Sequence, residues 1–264
     1  MALIDDLKRQ AAAETALIDS ITEEFAAELA RVLAGVNRQI RRLLGRLDNT
    51  DGRLVSDRAA LGRALALRTE IRQVLDDAGF GVLAAEAFDL DDLAARTLRG
   101  NSIAARAARL TPVNPNVVTA LQTLKEADLL QLGEQHTDAV WRAALDGVIG
   151  TRPLDDLVDE LADIADVTER QARTLHDTAV STYSRQVKQL GLPGEPGDRF
   201  LYMGPFDSKT RSFCRSQVGQ VRTREEISGL QNGQLPNVLL TGGGYNCRHT
   251  WQFIGDATAE EVGA

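Results

Sequence analysis

The sequence predicts a mostly α-helical protein with a long N-terminal helix, a helical bundle and a small C-terminal α+β lobe of about three strands. Aromatic residues make up only 5% of the 264 residues, and no proline precedes Pro112. Apolar side chains recur at helical spacing through most of the chain before residue 191. After residue 198, short alternating runs bounded by glycine and proline replace this pattern, which is typical of strands.

A helix of unusual length is predicted from about residue 2 to residue 47. Its apolar positions repeat every eleven residues, or about 3.67 residues per turn, so they form an almost straight stripe. At about 1.5 Å per residue the helix would be roughly 65–70 Å long. Few globular cores are that wide, so we expect the helix to protrude or to lie along a partner protein, and for its central turns packing within its own bundle is an equal alternative. The stripe residues assigned to partner contacts are Ile18, Phe25, Val32 and Val36.

The whole segment 1–192 is predicted to form a helical domain. A second helix is predicted to be capped by Ser56-Asp57, to run to about Asp77 and to be stopped by Gly79 and Gly81. The last helix of the domain opens with a capping box, Thr168 with Gln171. The other predicted features are a turn at 48–52, helices at 89–99, 103–110, 116–149, 154–165 and 168–190, a break at 111–116 and a linker at 193–198.

Residues 199–253 are predicted to form the α+β lobe. A short helix is expected to open at Thr223, whose side chain can form a capping box with Glu226. A lobe of about fifty-five residues is only marginally stable by itself. It must therefore pack on the helices or be cross-linked by a metal ion or a disulfide. The predicted strands are 199–203, 217–222 and 249–253, and an acidic tail follows at 254–264.

Charge and aromatic content also set the lobe apart. It holds 7 basic and 3 acidic side chains, against 23 and 32 in residues 1–198, and seven of the twelve aromatic residues. The net charge of −8 argues against a chain that coats nucleic acid along its whole length. A basic lobe suits packaged DNA or an acidic protein. The arginines assigned to DNA contacts are Arg211, Arg215, Arg222 and Arg248.

Three classes of protein are not expected. No apolar run approaches the roughly 18–20 residues that a membrane-spanning helix needs. The first residues carry acids where a signal peptide needs bases, which argues against secretion by the standard route. Two cysteines cannot form a disulfide framework, so a reducing compartment is the expectation.

The side chains able to carry chemistry lie in the lobe. Cys214, Cys247 and His249, with Asp207, are ligand types that suit a tetrahedral zinc site, although the paired C-x-x-C knuckles of a strong zinc motif are absent from the sequence. A Cys214–Cys247 disulfide and a Cys/His nucleophilic pair remain as alternatives. We favour two buried cysteines with a structural histidine, and for Asp207 a role in capping a turn.

Three segments in this order resemble the C-terminal signature of the phage Mu F-like minor head proteins. They are Asp207–Cys214, Gly219–Val221 and Asn246–His249, and the helix Gln171–Arg185 resembles the one that precedes the signature in that family. The resemblance covers about residues 167–253. The sequence departs from the family pattern at Leu175, Arg211 and Gly244-Tyr245, where some members have a glutamate, a cysteine and His-Pro.

The resemblance implies a structural, non-enzymatic virion protein of a tailed phage or phage-like particle. Such proteins associate with the portal protein and other head proteins at the portal vertex, after assembly in the host cytoplasm. They act in head assembly, DNA packaging or DNA ejection. We expect no cofactor other than the zinc ion that the cysteines and the histidine leave possible, and no membrane partner. The residues that would build the lobe are Asp207, Thr210, Cys214, Gly219, Asn246, Cys247, Arg248 and His249.

Two other functions remain open from the residues alone. One is a zinc-stapled nucleic-acid-binding module, whose binding would weaken steeply with salt. The other is an enzyme of the toxin or nuclease type, centred on Cys214, Cys247 and His249. An enzyme would need those side chains to converge on an open cleft, whereas a structural protein would bury them.

Overall fold

Long helices and one small antiparallel sheet make up the fold. A computed structural model describes residues 2–104 and 113–255. It confirms the predicted class: a mostly helical chain with a long first helix and a three-stranded C-terminal sheet. The helices are α1 Ala2–Leu44, α2 Arg58–Asp77, α3 Phe80–Glu86, α4 Asp91–Ala104, α5 Pro115–Ile149, α6 Leu154–Leu190, α7 Ser212–Gln217, α8 Arg224–Ser228 and α9 Val238–Thr241. The strands are β1 Asn49–Thr50, β2 Arg53–Leu54, β3 Arg199–Met203, β4 Val221–Thr223 and β5 Thr250–Gly255.

The chain folds into two compact units. We call residues 1–22, 89–124 and 176–264 the lobe unit, and residues 23–88 and 125–175 the helical unit. The helices α1, α5 and α6 each contribute residues to both units. The first turns of α1 and the last turns of α6 therefore belong to the same unit as the C-terminal sheet.

The apolar stripe of α1 is turned into the chain's own core. Phe25, Val32 and Val36 are 5%, 5% and 0% exposed, and Ile18 is half-buried. Side chains assigned from sequence to partner contacts are thus largely occupied inside the protein, because the helix packs along its length. In this fold Phe25, Val32 and Val36 are not available to a partner.

Helix α6 is continuous where the sequence predicted two helices. The hydroxyl of Thr168 lies inside the helix and donates to the carbonyl oxygen of Ile164 at 2.9 Å. It also contacts Nδ1 of His136, on α5, at 2.9 Å. The predicted capping box is therefore wrong, because threonine in a helix interior can bond to the carbonyl four residues earlier. Helix α4 likewise continues through Gly100, where a stop was predicted, and residues 105–112 of the predicted 103–110 helix and 111–116 break lie outside the described residues.

The buried His136 of the helical unit predicts a pH-dependent stability. Burial lowers the pKa of His136 from 6.5 to about 4, and among the described residues its Nε2 atom has no hydrogen-bond partner. The unfolded chain binds the proton more readily, so stability is complete above pH 6.5 and falls as the pH approaches 4. The loss is about 3 kcal/mol, and we expect urea unfolding between pH 7 and pH 4 to measure it.

The control for this prediction is His136→Gln, which removes the titrating group. The acidic side chains remain in both proteins, so the difference between the two pH profiles isolates His136. We expect the variant to lose about 3 kcal/mol less than the wild type over this pH range. Parallel profiles would contradict the prediction.

The lobe sheet has the order β4-β3-β5, with both neighbours antiparallel to the central strand. The predicted strands at 199–203 and 249–253 are confirmed, with β5 shifted to Thr250–Gly255. The strand predicted at 217–222 is mostly wrong, since α7 extends to Gln217 and Gly219 turns the chain at a φ of 83° before β4 starts. The predicted capping box of Thr223 and Glu226 is confirmed at the start of α8.

The core of the lobe joins the sheet to the helices of its own unit. Phe200 pairs with Phe253 across β3 and β5, and Tyr202 pairs with Trp251. Leu7 and Ala11 from the first turns of α1 are buried in the same apolar cluster. The lobe thus packs on helices as its small size requires.

Candidate functional site

Four side chains from separate elements meet inside the lobe. Cys214 lies on α7, Tyr202 on β3, Cys247 in the loop after α9, and His249 immediately before β5. Their exposed fractions are 2%, 0%, 4% and 3%. Because β3 alternates its side chains, Phe200 and Tyr202 share one face, and that face points into the core. We call Tyr202, Cys214, Cys247 and His249 the sulfur cluster.

The atoms of the sulfur cluster are within contact distance of one another. The two Sγ atoms are 3.8 Å apart, and Cys247 Sγ is 3.8 Å from His249 Nδ1. The Tyr202 hydroxyl lies 3.5 Å from Cys214 Sγ and 3.8 Å from Cys247 Sγ. The three potential metal-binding atoms of the cysteines and the histidine all lie within 4.8 Å of one another.

A glycine turn makes room for the two sulfur atoms. A Cβ on Gly243 would lie 2.3 Å from Cys214 Sγ, and one on Gly242 would lie 3.0 Å from Cys247 Sγ. Gly242 also has a φ of 56°, which disfavours a side chain. The backbone N–H of Gly243 donates to Cys247 Sγ at 3.0 Å. The loop is therefore shaped around the cysteines, and other residues do not fit there.

The two thiols differ in acidity. Hydrogen bonding from Cys214 lowers the pKa of Cys247, and the nearby charge of Arg185 and the backbone N–H of His249 lower it further. The same bond, together with burial, raises the pKa of Cys214. Burial raises the pKa of Tyr202 well above its ordinary value, and the sulfur atoms add to this effect. Of the two thiols, Cys247 is therefore the more acidic.

A buried arginine from α6 supports the loop. Arg185 is 4% exposed, and it donates to the carbonyl oxygens of Cys247, His249 and Leu240. The two bonds to His249 are 3.0 and 2.8 Å long, and the bond to Leu240 is 3.3 Å. Arg185 therefore joins α6 to both sides of the loop that carries Cys247.

Asp207 lies outside the sulfur cluster. Its carboxylate accepts two bonds from Arg248, at 2.8 and 2.7 Å, and one from the backbone N–H of Lys209. Hydrogen bonds from Arg248, Thr210 and Lys209 hold the pKa of Asp207 below its ordinary value, the bond from Arg248 having the largest effect. The predicted role in capping a turn is seen, while the carboxylate offered as a zinc ligand is bound to Arg248 instead.

The remaining motif residues also make bonds within the lobe unit. Asn246 has a positive φ of 52° and exchanges two hydrogen bonds of 3.1 Å with Thr178 of α6. The four arginines assigned to DNA contacts all donate within the chain. Arg211 donates to Gly243 and Tyr245, Arg215 to Thr210 and Asp207, Arg222 to Gln217, and Arg248 to Asp207.

Two open spaces of very different size touch members of the sulfur cluster. A cavity that touches Cys247 and His249 measures about 20 Å³, which holds about one water molecule. A groove of about 600 Å³ lies between α1 and the β3 segment Leu201–Pro205. Among the described residues that line this groove, Tyr202 is the only member of the cluster.

The sequence indicated three of the four cluster members. Tyr202 was missed because the sequence marks it only as a residue of a strand. The strand register that brings its hydroxyl to the sulfur atoms depends on residues that are distant in the sequence. Arg185 was missed because it lies on a predicted helix without any local partner. The role of Gly243 depends likewise on a distant residue, since a Cβ there would overlap Cys214 Sγ.

Comparison with known proteins gives no relative. No protein-family model, curated protein or solved structure matches the chain. In the part of the chain that the structure describes, no helix combines the length and the apolar character needed to cross a membrane. The use of the site has to be inferred from its own residues and geometry.

Proposed function

We propose that this protein is a structural minor head protein of a tailed phage or phage-like particle. It acts at the portal vertex, in head assembly, DNA packaging or DNA ejection. The proposal rests on the bonds that the side chains of the motif in residues 207–249 make within the lobe. Its polar and sulfur-bearing side chains bond to one another and to α6, which supports a role in building the lobe.

Two layers of contacts support a structural use of the motif. The outer layer is the ion pair of Asp207 and Arg248, which also fixes Thr210 and the turn before α7. The inner layer is the sulfur cluster, which Arg185 ties to α6. Residues far apart in the sequence thus close one small lobe, which explains their order and spacing without any catalytic requirement.

A catalytic use of the same residues has weaker support. A nucleophile and its base need space for a substrate within about 3 Å. Cys214, Cys247 and His249 are each less than 5% exposed, and the cavity beside Cys247 and His249 is too small for more than about one water molecule. A toxin or nuclease centred on these side chains would have to open the core of its own lobe.

Direct DNA binding by the lobe also has weaker support than a role in protein assembly. The guanidinium groups of Arg211, Arg215, Arg222 and Arg248 already hold backbone or side-chain oxygens of the lobe. Those bonds would compete with phosphate for the same N–H donors. The positive charge of the lobe still favours a negatively charged neighbour through long-range attraction.

Co-expression with the portal protein encoded in the same genomic neighbourhood tests the proposal. We expect the full-length chain to co-purify with the portal oligomer in a fixed ratio through size-exclusion chromatography with light scattering. We also expect mass spectrometry to find the chain in purified particles, in fewer copies than the major capsid protein. Both results follow if the protein is a component of the portal vertex.

A portal protein from an unrelated phage is the matched control and should not co-elute. An absence of the chain from purified particles, combined with no complex with its own portal, would overturn the proposal. Nuclease activity that depends on Cys247 or His249 would instead establish the enzymatic alternative.

A further inference from the structure

We propose that the sulfur cluster is a tetrahedral zinc site with Cys214, Cys247, His249 and Tyr202 as its four ligands. The site goes beyond the proposed function, and it would stabilise the lobe whatever partner the protein has. Four independent features of the geometry point to it: the spacing of the ligand atoms, the orientation of the histidine, the donors around Cys247, and the position of the Tyr202 hydroxyl.

The spacing of the ligand atoms matches a zinc tetrahedron. With Zn–S bonds of about 2.3 Å and Zn–N bonds of about 2.0 Å, tetrahedral angles place two sulfurs roughly 3.8 Å apart and a sulfur and a nitrogen roughly 3.5 Å apart. The observed Sγ–Sγ distance is 3.8 Å, and the distance from Cys247 Sγ to His249 Nδ1 is 3.8 Å. The ligand atoms of Cys214, Cys247 and His249 all lie within 4.8 Å of one another, so binding requires the widest pair to close by up to roughly 1 Å.

His249 is oriented as a metal ligand. Its Nε2 atom lies 2.8 Å from the carbonyl oxygen of Pro205. A carbonyl can only accept, so Nε2 carries the proton and Nδ1 presents its lone pair toward Cys247 Sγ. Such a bond from the second ring nitrogen to a carbonyl is the usual support of a metal-bound histidine. The ring also stacks on Tyr202, with centroids 5.5 Å apart and planes 9° apart.

Cys247 is surrounded by donors that favour a metal-bound thiolate. The backbone N–H groups of Gly243 and His249 point at its sulfur, at 3.0 and 3.4 Å. The glycine at 243 is needed for this approach, since a Cβ there would overlap Cys214 Sγ. The sulfur atom thus has two directed donors and still faces the other ligand atoms.

The hydroxyl of Tyr202 occupies the fourth coordination position of the proposed site. Its hydroxyl lies 3.5 and 3.8 Å from the two sulfurs, close to the separation of roughly 3.5 Å expected between an oxygen and a sulfur on one zinc ion. Zinc with two thiolates, a neutral imidazole and a phenolate carries one negative charge. The buried guanidinium of Arg185, bonded to the carbonyls of Cys247 and His249, balances that charge.

Metal analysis of the full-length protein tests the site. Protein purified with a thiol reductant and without chelator should contain one zinc ion per chain. Replacement by Co²⁺ should give the intense visible bands of tetrahedral cobalt and a sulfur-to-cobalt charge-transfer band in the near ultraviolet. A chain that lacks zinc and gives only the weak spectrum of octahedral cobalt would overturn the proposal.

Variants separate the individual ligands. Tyr202→Phe removes only the hydroxyl, so the lobe should fold, bind zinc at least about tenfold more weakly and shift the cobalt bands. An unchanged affinity and spectrum would remove Tyr202 from the ligand set. Cys247→Ser leaves Cys214 as the one thiolate ligand, so it should weaken the charge-transfer band by about half or more, or unfold the lobe, and the wild-type cobalt spectrum therefore serves as the primary readout. His136→Gln, which alters a histidine of the helical unit, should keep one zinc ion per chain.

Discussion

Replacing Arg185 with methionine is expected to lower the free energy of unfolding by about 3 kcal/mol or more. The side chain is 4% exposed and donates to three backbone carbonyl oxygens, those of Cys247, His249 and Leu240. Methionine fills a similar volume but donates no hydrogen bond. Each buried carbonyl left without a donor costs about 1–3 kcal/mol, and chemical denaturation of the two proteins measures the sum.

Arg173→Met is the matched control on the same helix. Its side chain is 53% exposed and pairs with Glu169 on the surface, so its loss should change stability by less than about 0.5 kcal/mol. Arg185→Lys should recover only part of the loss, because an ammonium group cannot reach three carbonyls with the planar geometry of a guanidinium. If Arg185→Met lowered the free energy of unfolding as little as Arg173→Met does, the role of Arg185 in joining α6 to the loop would be refuted.

Local features of the fold could be predicted because they depend on neighbouring residues. Asp57 caps α2 by accepting from the backbone of Ala60 at 2.7 Å, and Thr223 and Glu226 form their capping box. The apolar stripe correctly predicted the length of α1 to within a turn. In each case the signal and the structure lie within a few residues of one another, where periodicity and capping chemistry apply.

Features that depend on distant residues could not be predicted in the same way. Thr168 is a capping residue by sequence pattern, but His136 from another helix engages its hydroxyl and leaves it inside α6. The sequence also did not show whether the apolar stripe of α1 would face a partner or the protein's own core. An apolar stripe at helical spacing is needed for burial against either of them. Tertiary packing decided each of these questions.

The candidate site was predictable in its residue types but not in its geometry. Cysteine and histidine drew attention to positions 214, 247 and 249 by their chemistry alone. The hydroxyl of Tyr202 joins them only because β3 lies between β4 and β5 with a fixed register. Asp207 was an equally good ligand by type, yet Arg248, forty-one residues away in sequence, binds its carboxylate.

Replacing Lys188 with methionine is expected to lower the free energy of unfolding by about 3–5 kcal/mol. Lys188 Nζ lies 2.8 Å from Glu14 Oε2, and the two side chains are only 3% and 8% exposed. The pair joins α1 to α6 inside the lobe unit, where Ser184 donates to Glu14 and Lys188 donates to Thr250 at 3.2 Å. The variant would leave a carboxylate buried without its cation, and urea unfolding measures the cost.

The double variant Glu14→Leu with Lys188→Met distinguishes an uncompensated charge from lost packing. Removing both charges should recover most of the stability that Lys188→Met loses, because a buried ion pair is worth little more than apolar side chains of similar volume. The exposed pair of Arg31 and Glu28 is the control, and Arg31→Met should have little effect. A double variant as unstable as the sum of its two single variants would show that the pair acts through packing. In that case the attachment of α1 to the lobe would depend on the apolar contacts of Leu7 and Ala11 and not on charge.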